Sequence, residues 1–126
     1  MKLRLRDNSL RLRLRQGEVD RVGSGDRVEE TIVFGMQTTE RLVYAIVTSN
    51  EAMHLGASFA ANEVRITIPT AIAAGWATGD GVSLEAEQPI GDGRLLKILV
   101  EKDFACLKPR SDEDESEAYP NPSANG

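Results

Sequence analysis

The first fifteen residues, MKLRLRDNSLRLRLR, are the strongest constraint on how this chain folds. Leucine and cation alternate almost one for one, and only an extended strand separates such a pattern into two faces, because successive side chains point to opposite sides of the pleat. On a helix of 3.6 residues per turn the same leucines would be smeared around the barrel of the helix. Asp7, Asn8 and Ser9 interrupt the pattern with short polar side chains that bond their own backbone, which is turn chemistry. The stretch therefore reads as a β-hairpin. Leu3, Leu5, Leu10, Leu12 and Leu14 lie on one face, and Lys2, Arg4, Arg6, Arg11, Arg13 and Arg15 on the other.

This cationic stripe runs against the balance of the chain, whose formal net charge is −5. Like charges directly opposite each other on neighbouring strands cost roughly 0.2–1 kcal/mol a pair, so a source of compensation is expected. Phosphates of a nucleic acid would suit the planar fork of arginine. Carboxylates of neighbouring strands (Glu29, Glu30, Glu85 or Glu87) are a second source. The third is the C-terminal segment, where Asp112, Glu113, Asp114, Glu115 and Glu117 place five acids in six residues.

Further along, Gln16 to Val22 reads as a short polar helix or turn, broken by Gly23-Ser-Gly-Asp26. Val28, Ile32 and Phe34 mark a third strand, and Leu42 to Val47 a fourth, more buried one. Asn62 to Pro69 alternates again, Thr70 caps a helix running to Trp76, and Gly79-Asp80 ends it. Val82 to Ala86 is a strand, Pro89 to Gly93 a loop, and Leu96 to Val100 a last strand. The two halves superpose in sequence when 54 is added to each number. Leu10, Leu12 and Leu14 then fall on Val64, Ile66 and Ile68, and Leu3 and Leu5 on Ala57 and Phe59. Gly25-Asp26-Arg27-Val28 falls on Gly79-Asp80-Gly81-Val82, and Leu42, Tyr44 and Ile46 on Leu96, Ile98 and Val100. A constant register across these elements reads as an internal repeat of a ββαββ unit, about 1–50 and 53–103.

Two segments, NSLRLRLRQGEVDRVGSGDRVEE at 8–30 and RITIPTAIAAGWATGDGVSLEAE at 65–87, resemble the swapped-hairpin domains of AbrB- and MazE-type proteins. That family shows a strand ending in Ile-Pro, a short helix, then Gly-Asp-x-Val and a strand. The resemblance implies an α+β, mostly β fold: a pseudo-two-fold barrel of two such halves in one chain, covering about residues 1–103, and residues 1–107 are read as a single domain. The first half departs from the pattern at Arg15, where the second has Pro69. A unit of about 50 residues buries too little surface alone and leaves open strand edges, and pairing two copies answers both needs. The whole chain also resembles an uncharacterised bacterial family through EKDFACLKPRSDEDESEAYPNP at 101–122, a likeness that brings no activity with it.

Several classes of function have no support in the sequence. There is no apolar run long enough to span a bilayer and no secretory h-region behind the basic start, so a cytoplasmic address is expected. The single cysteine, Cys106, gives no disulfide framework. Cys106, His54, Asp103 and the tail acids are metal-ligand types without metal-ligand spacing. Trp76 reads as core, and Asp92 between two glycines as a hairpin turn. No catalytic constellation and no cofactor motif is present, and the expectation is a non-enzyme without cofactors.

Three functions remain. The first is a regulator that sets the six cations of the hairpin on DNA or another polyanion, which AbrB-like kinship also implies. The second is an antitoxin-like interaction module acting through its acidic, flexible tail (108–126), with Asp112, Glu113, Asp114, Glu115, Glu117 and Tyr119 meeting a protein partner. The third is a binder of a metal or a small anionic ligand. No membrane partner is expected, and the chain reads as a monomer or weak homo-oligomer. Up to residue 107 there are 13 Lys and Arg against 15 Asp and Glu, so any nucleic-acid affinity must come from a local face rather than from net charge.

Overall fold

The computed structural model describes residues 1–104; the acidic tail and Cys106 lie outside them. Eight strands and two helices follow in the order β1 (Lys2–Arg6), β2 (Ser9–Leu14), α1 (Gln16–Gly23), β3 (Val28–Val33), β4 (Arg41–Ser49), β5 (Gly56–Ala60), β6 (Glu63–Pro69), α2 (Thr70–Thr78), β7 (Ser83–Gly91) and β8 (Arg94–Lys102). They form two four-stranded sheets, β1-β2-β8-β7 and β3-β4-β6-β5. In each, two antiparallel hairpins meet through a parallel pair of central strands, β2 with β8 and β4 with β6. The first and last hairpins of the chain thus share one sheet, and the two middle hairpins share the other.

Pairing repeats with the sequence offset of 54. Leu10 faces Ile98 in one parallel pair, and Val64 faces Tyr44 in the other. Lys2 faces Arg13 in the first hairpin, and Gly56 faces Thr67 in the third. At the turns, the backbone carbonyls of Asn8 and Asn62 accept from Lys97 and Val43 at 3.1 and 2.9 Å. Their side chains donate to the carbonyls of Leu95 and Thr39, each at 2.8 Å. The last hairpin alone has slipped: Leu84, not Val82, faces Val100. A slip of two residues keeps every side chain on its face.

The core lies between the sheets. Leu12, Leu14, Ile98 and Val100 come from one sheet, Val28, Ile46, Ile66 and Ile68 from the other, and Val19, Val22, Ala73 and Trp76 from the helices. Trp76 is buried, as expected, and its indole N–H donates to the carbonyl of Val82 at 3.3 Å. The helices cross at Gly23, where an added Cβ would stand 2.3 Å from that of Ala77. Contact this close tolerates a methyl group on one side only.

Several expectations are corrected. The sheets do not close into a barrel; no ladder joins β1 to β3 or β5 to β7 among the described residues. Side chains bridge these two seams. At one, the Gln88 amide accepts from the Ala57 N–H at 2.8 Å and donates to its carbonyl at 2.9 Å, satisfying the open edge of β5. At the other, the Met1 ammonium lies between Glu18 and Glu30 at 2.6 and 2.7 Å. The third strand stops at Val33, leaving Phe34 exposed. Residues 89–93 are not a loop, for β7 continues to Gly91 and only Asp92-Gly93 turn, both with positive φ (57° and 69°). Proline is accommodated there because β7 is an edge strand and its register shifts between Pro89 and Gly91. Thr70 does not cap α2 but begins it; Pro69 is the N-cap, as Arg15 is for α1.

Candidate functional site

Strand alternation and the observed register place the cationic stripe on the outer face of the sheet β1-β2-β8-β7. Three rows cross it. Lys2, Arg13, Glu101 and Ser83 form one; Arg4, Arg11, Leu99 and Glu85 the next; Arg6, Ser9, Lys97 and Glu87 the third. Two cation pairs, Lys2 with Arg13 and Arg4 with Arg11, are therefore directly opposed. Their four side chains line a dimple of about 10 Å³, room for one oxygen-sized atom.

Part of the compensation comes from Glu101, a carboxylate outside the expected set. A single oxygen of Glu101 accepts from Arg11 Nε at 2.8 Å and from Arg13 Nε at 2.9 Å. Partial burial pushes the Glu101 pKa up, but the hydrogen bonds from Arg11 and Arg13 outweigh it and hold the carboxyl below its usual value. Both guanidiniums are thereby tied to the same carboxylate oxygen. Arg6 is exposed and 4.0 Å from Asp7, Lys2 and Arg4 are exposed, and Arg15 stands at the head of α1. Its backbone N–H donates to Glu18 at 2.9 Å.

The carboxylates proposed as partners have other positions. Glu29 pairs with Arg27 at 3.4 Å. Glu30 holds the Met1 ammonium and accepts from the Tyr44 hydroxyl at 2.9 Å. The ammonium bond first, helped by Tyr44, keeps the Glu30 carboxyl below its ordinary range against the effect of burial. Burial and the bond to Glu30 push the Tyr44 phenol up to about 12. Burial alone would lower the ammonium pKa, yet Glu18 and Glu30 raise it overall. This cluster sits beside a cleft of about 800 Å³ lined also by Lys2, Arg13, Arg15 and Arg21. Glu85 and Glu87 do stand on the cationic face, but on its far strand, across a groove of about 580 Å³ floored by β8.

The outer face of the second sheet has a different character. Arg27 and Arg65 both bind Glu63, Arg65 at 2.7 Å, and small or aliphatic residues such as Val43, Ala45 and Ser58 occupy the rest. His54 is exposed in the connection before β5. Among the described residues no three His, Cys, Asp or Glu gather as metal ligands, and no helix is long and apolar enough to cross a membrane. The tail residues Asp112, Glu113, Asp114, Glu115, Glu117 and Tyr119 lie outside the described residues.

Fold and face together define a mostly β protein of two four-stranded sheets, one of which carries a dense cationic surface. The chain belongs to a family of unknown function (DUF7009), whose model matches residues 1–123. No curated protein and no solved structure matches it.

Proposed function

We propose that the chain is a non-enzymatic regulator that docks a polyanion, nucleic acid in the first place, on the outer face of the sheet β1-β2-β8-β7. The observation that carries this reading is the two pairs of directly opposed cations, Lys2 with Arg13 and Arg4 with Arg11, around an oxygen-sized dimple. Glu101 supplies one negative charge to this group and orients Arg11 and Arg13. Lys2, Arg4, Arg6 and Arg15 are exposed around them, and arginine can meet phosphate oxygens by bidentate hydrogen bonds. In the same reading the chain is two AbrB/MazE-type ββαββ units joined head to tail, supported by the offset of 54 that links both the sequence motifs and the strand register. Only the first unit carries the stripe, since positions 65, 67 and 69 read Arg, Thr and Pro. Binding is thus one-sided and does not call for a palindromic site.

Fluorescence anisotropy with a labelled duplex tests it, on the full chain and on a full-length variant whose five tail acids are amides. With about four phosphates neutralised, affinity falls roughly 10²-fold between 50 and 200 mM salt. Absence of binding by both proteins at the lower salt, or binding without salt dependence, would overturn the reading.

A further inference from the structure

The cationic stripe is half of a graded surface. Across the sheet, β1 and β2 present Lys2, Arg4, Arg6, Arg11 and Arg13; β8 presents Lys97, Leu99 and Glu101; β7 presents Glu85 and Glu87. Glu85 and Glu87 are exposed and have no hydrogen-bond or ion-pair partner among the described residues. Charge therefore changes sign from one edge of the face to the other, while the half-buried Leu99 lies on the floor of the groove between the two.

Such a face is complementary to a copy of itself, and the signs select the geometry. Two sheets stacked face to face can be related by a twofold axis along the strands or across them. An axis across the strands lays β1 on β1 of the second copy, cation on cation. An axis along the strands reverses the order of strands and keeps the rows. Arg4 then meets Glu85 of the partner subunit, Arg6 meets Glu87 of the partner subunit, and Arg11 lays its aliphatic stem over Leu99 of the partner subunit. The symmetry repeats each contact, as an isologous interface requires.

We propose that this chain associates with a second copy of itself, face to face through the sheet β1-β2-β8-β7, about a twofold parallel to the strands. Four strands about 4.8 Å apart and some six residues long give a footprint of roughly 19 by 20 Å. That is the low end of interface sizes, so the dimer is weak and its strength resides in ion pairs that salt screens. Sheets packed about 10 Å apart leave no room for a duplex, so a second copy and a polyanion exclude each other on β1 and β2. The proposal does not depend on nucleic-acid binding, and its test contains none.

Sedimentation equilibrium of the full chain measures the association at about 25 and 500 mM salt. The dimer is expected at low salt and lost at high salt. Arg4→Glu with Arg6→Glu in one variant, and Glu85→Arg with Glu87→Arg in another, each weaken it about tenfold or more, because every reversed charge meets its like. An equimolar mixture of the two variants recovers a dimer containing one of each, since each altered edge then faces its complement. The single changes Arg4→Glu and Glu85→Arg give the same crossed rescue should a double variant lose its fold. A chain that stays monomeric at low salt overturns the proposal, and so does a dimer that the mixture fails to recover.

Discussion

Replacing Glu101 with glutamine is the most direct probe of how the cationic face is held together. The side chain is 13% exposed and accepts from Arg11 and Arg13, themselves 33% and 11% exposed. A hydrogen bond to a charged group contributes about 1.5–3 kcal/mol. Arg11 can regain water on its exposed side and the amide oxygen still accepts weakly, so the net loss should be about 2 kcal/mol at neutral pH and low salt. The pH dependence follows from the depressed Glu101 pKa. Its contribution is complete above the unfolded carboxylate value of about 4.3 and disappears as pH falls through the lower folded value. Urea denaturation of both proteins between pH 7 and 3 should therefore show a stability gap that closes below about pH 4. The same substitution raises the charge of the face by one, so duplex affinity should increase while stability decreases. A gap under about 0.5 kcal/mol at pH 7, or one that stays flat down to pH 3, would refute the bridging role of Glu101.

Other perturbations address the seams and the helix crossing. In a Tyr119→Phe chain the remaining phenol, Tyr44, should titrate by ultraviolet absorbance at about 12, and the stability it contributes should be present below pH 10 and lost between there and pH 12. Gln88→Ala removes both bonds to Ala57 and should cost about 2 kcal/mol, with faster hydrogen exchange at the Ala57 amide than at central-strand amides. Gly23→Ala drives a methyl group into Ala77 and should cost about 1–2 kcal/mol in thermal unfolding although alanine is the better helix former; adding Ala77→Gly relieves the clash, so the double variant should lose less than the two single changes summed.

What the sequence revealed and what it hid follow a physical division. Alternation identified β1, β2 and β6, and the offset of 54 anticipated the correspondence between Leu10 and Val64 and between Tyr44 and Ile98 that the parallel pairs display. These are local periodicities, visible wherever one face of a strand is apolar. Glu101 was hidden because it reaches Arg11 and Arg13 through a parallel contact spanning about 90 residues, and nothing in the order E-K-D specifies which strand lies beside it. Gln88 and Tyr44 were hidden for a related reason. They serve edges left when two sheets stop short of closing, and an open edge belongs to the assembled topology rather than to any segment. β5 carries no alternation of its own, because Gly56, Ala57, Ser58 and Ala60 are too small to announce a strand; only the offset of 54, which lays Leu3 and Leu5 on Ala57 and Phe59, points to it. It forms because the neighbouring β6 supplies a complete ladder for it.

The two seams differ in what they respond to. A neutral amide holds the edge of β5, and its grip is indifferent to acid or alkali. The opposite edge is gripped by an ammonium, a carboxylate and a phenol. Acid removes the charge from Glu30, and alkali removes first that of Met1 and then the proton of Tyr44. Outside the middle of the pH scale the molecule should therefore part along one side only, swinging about the line where Gln88 meets Ala57 as a book opens from its spine.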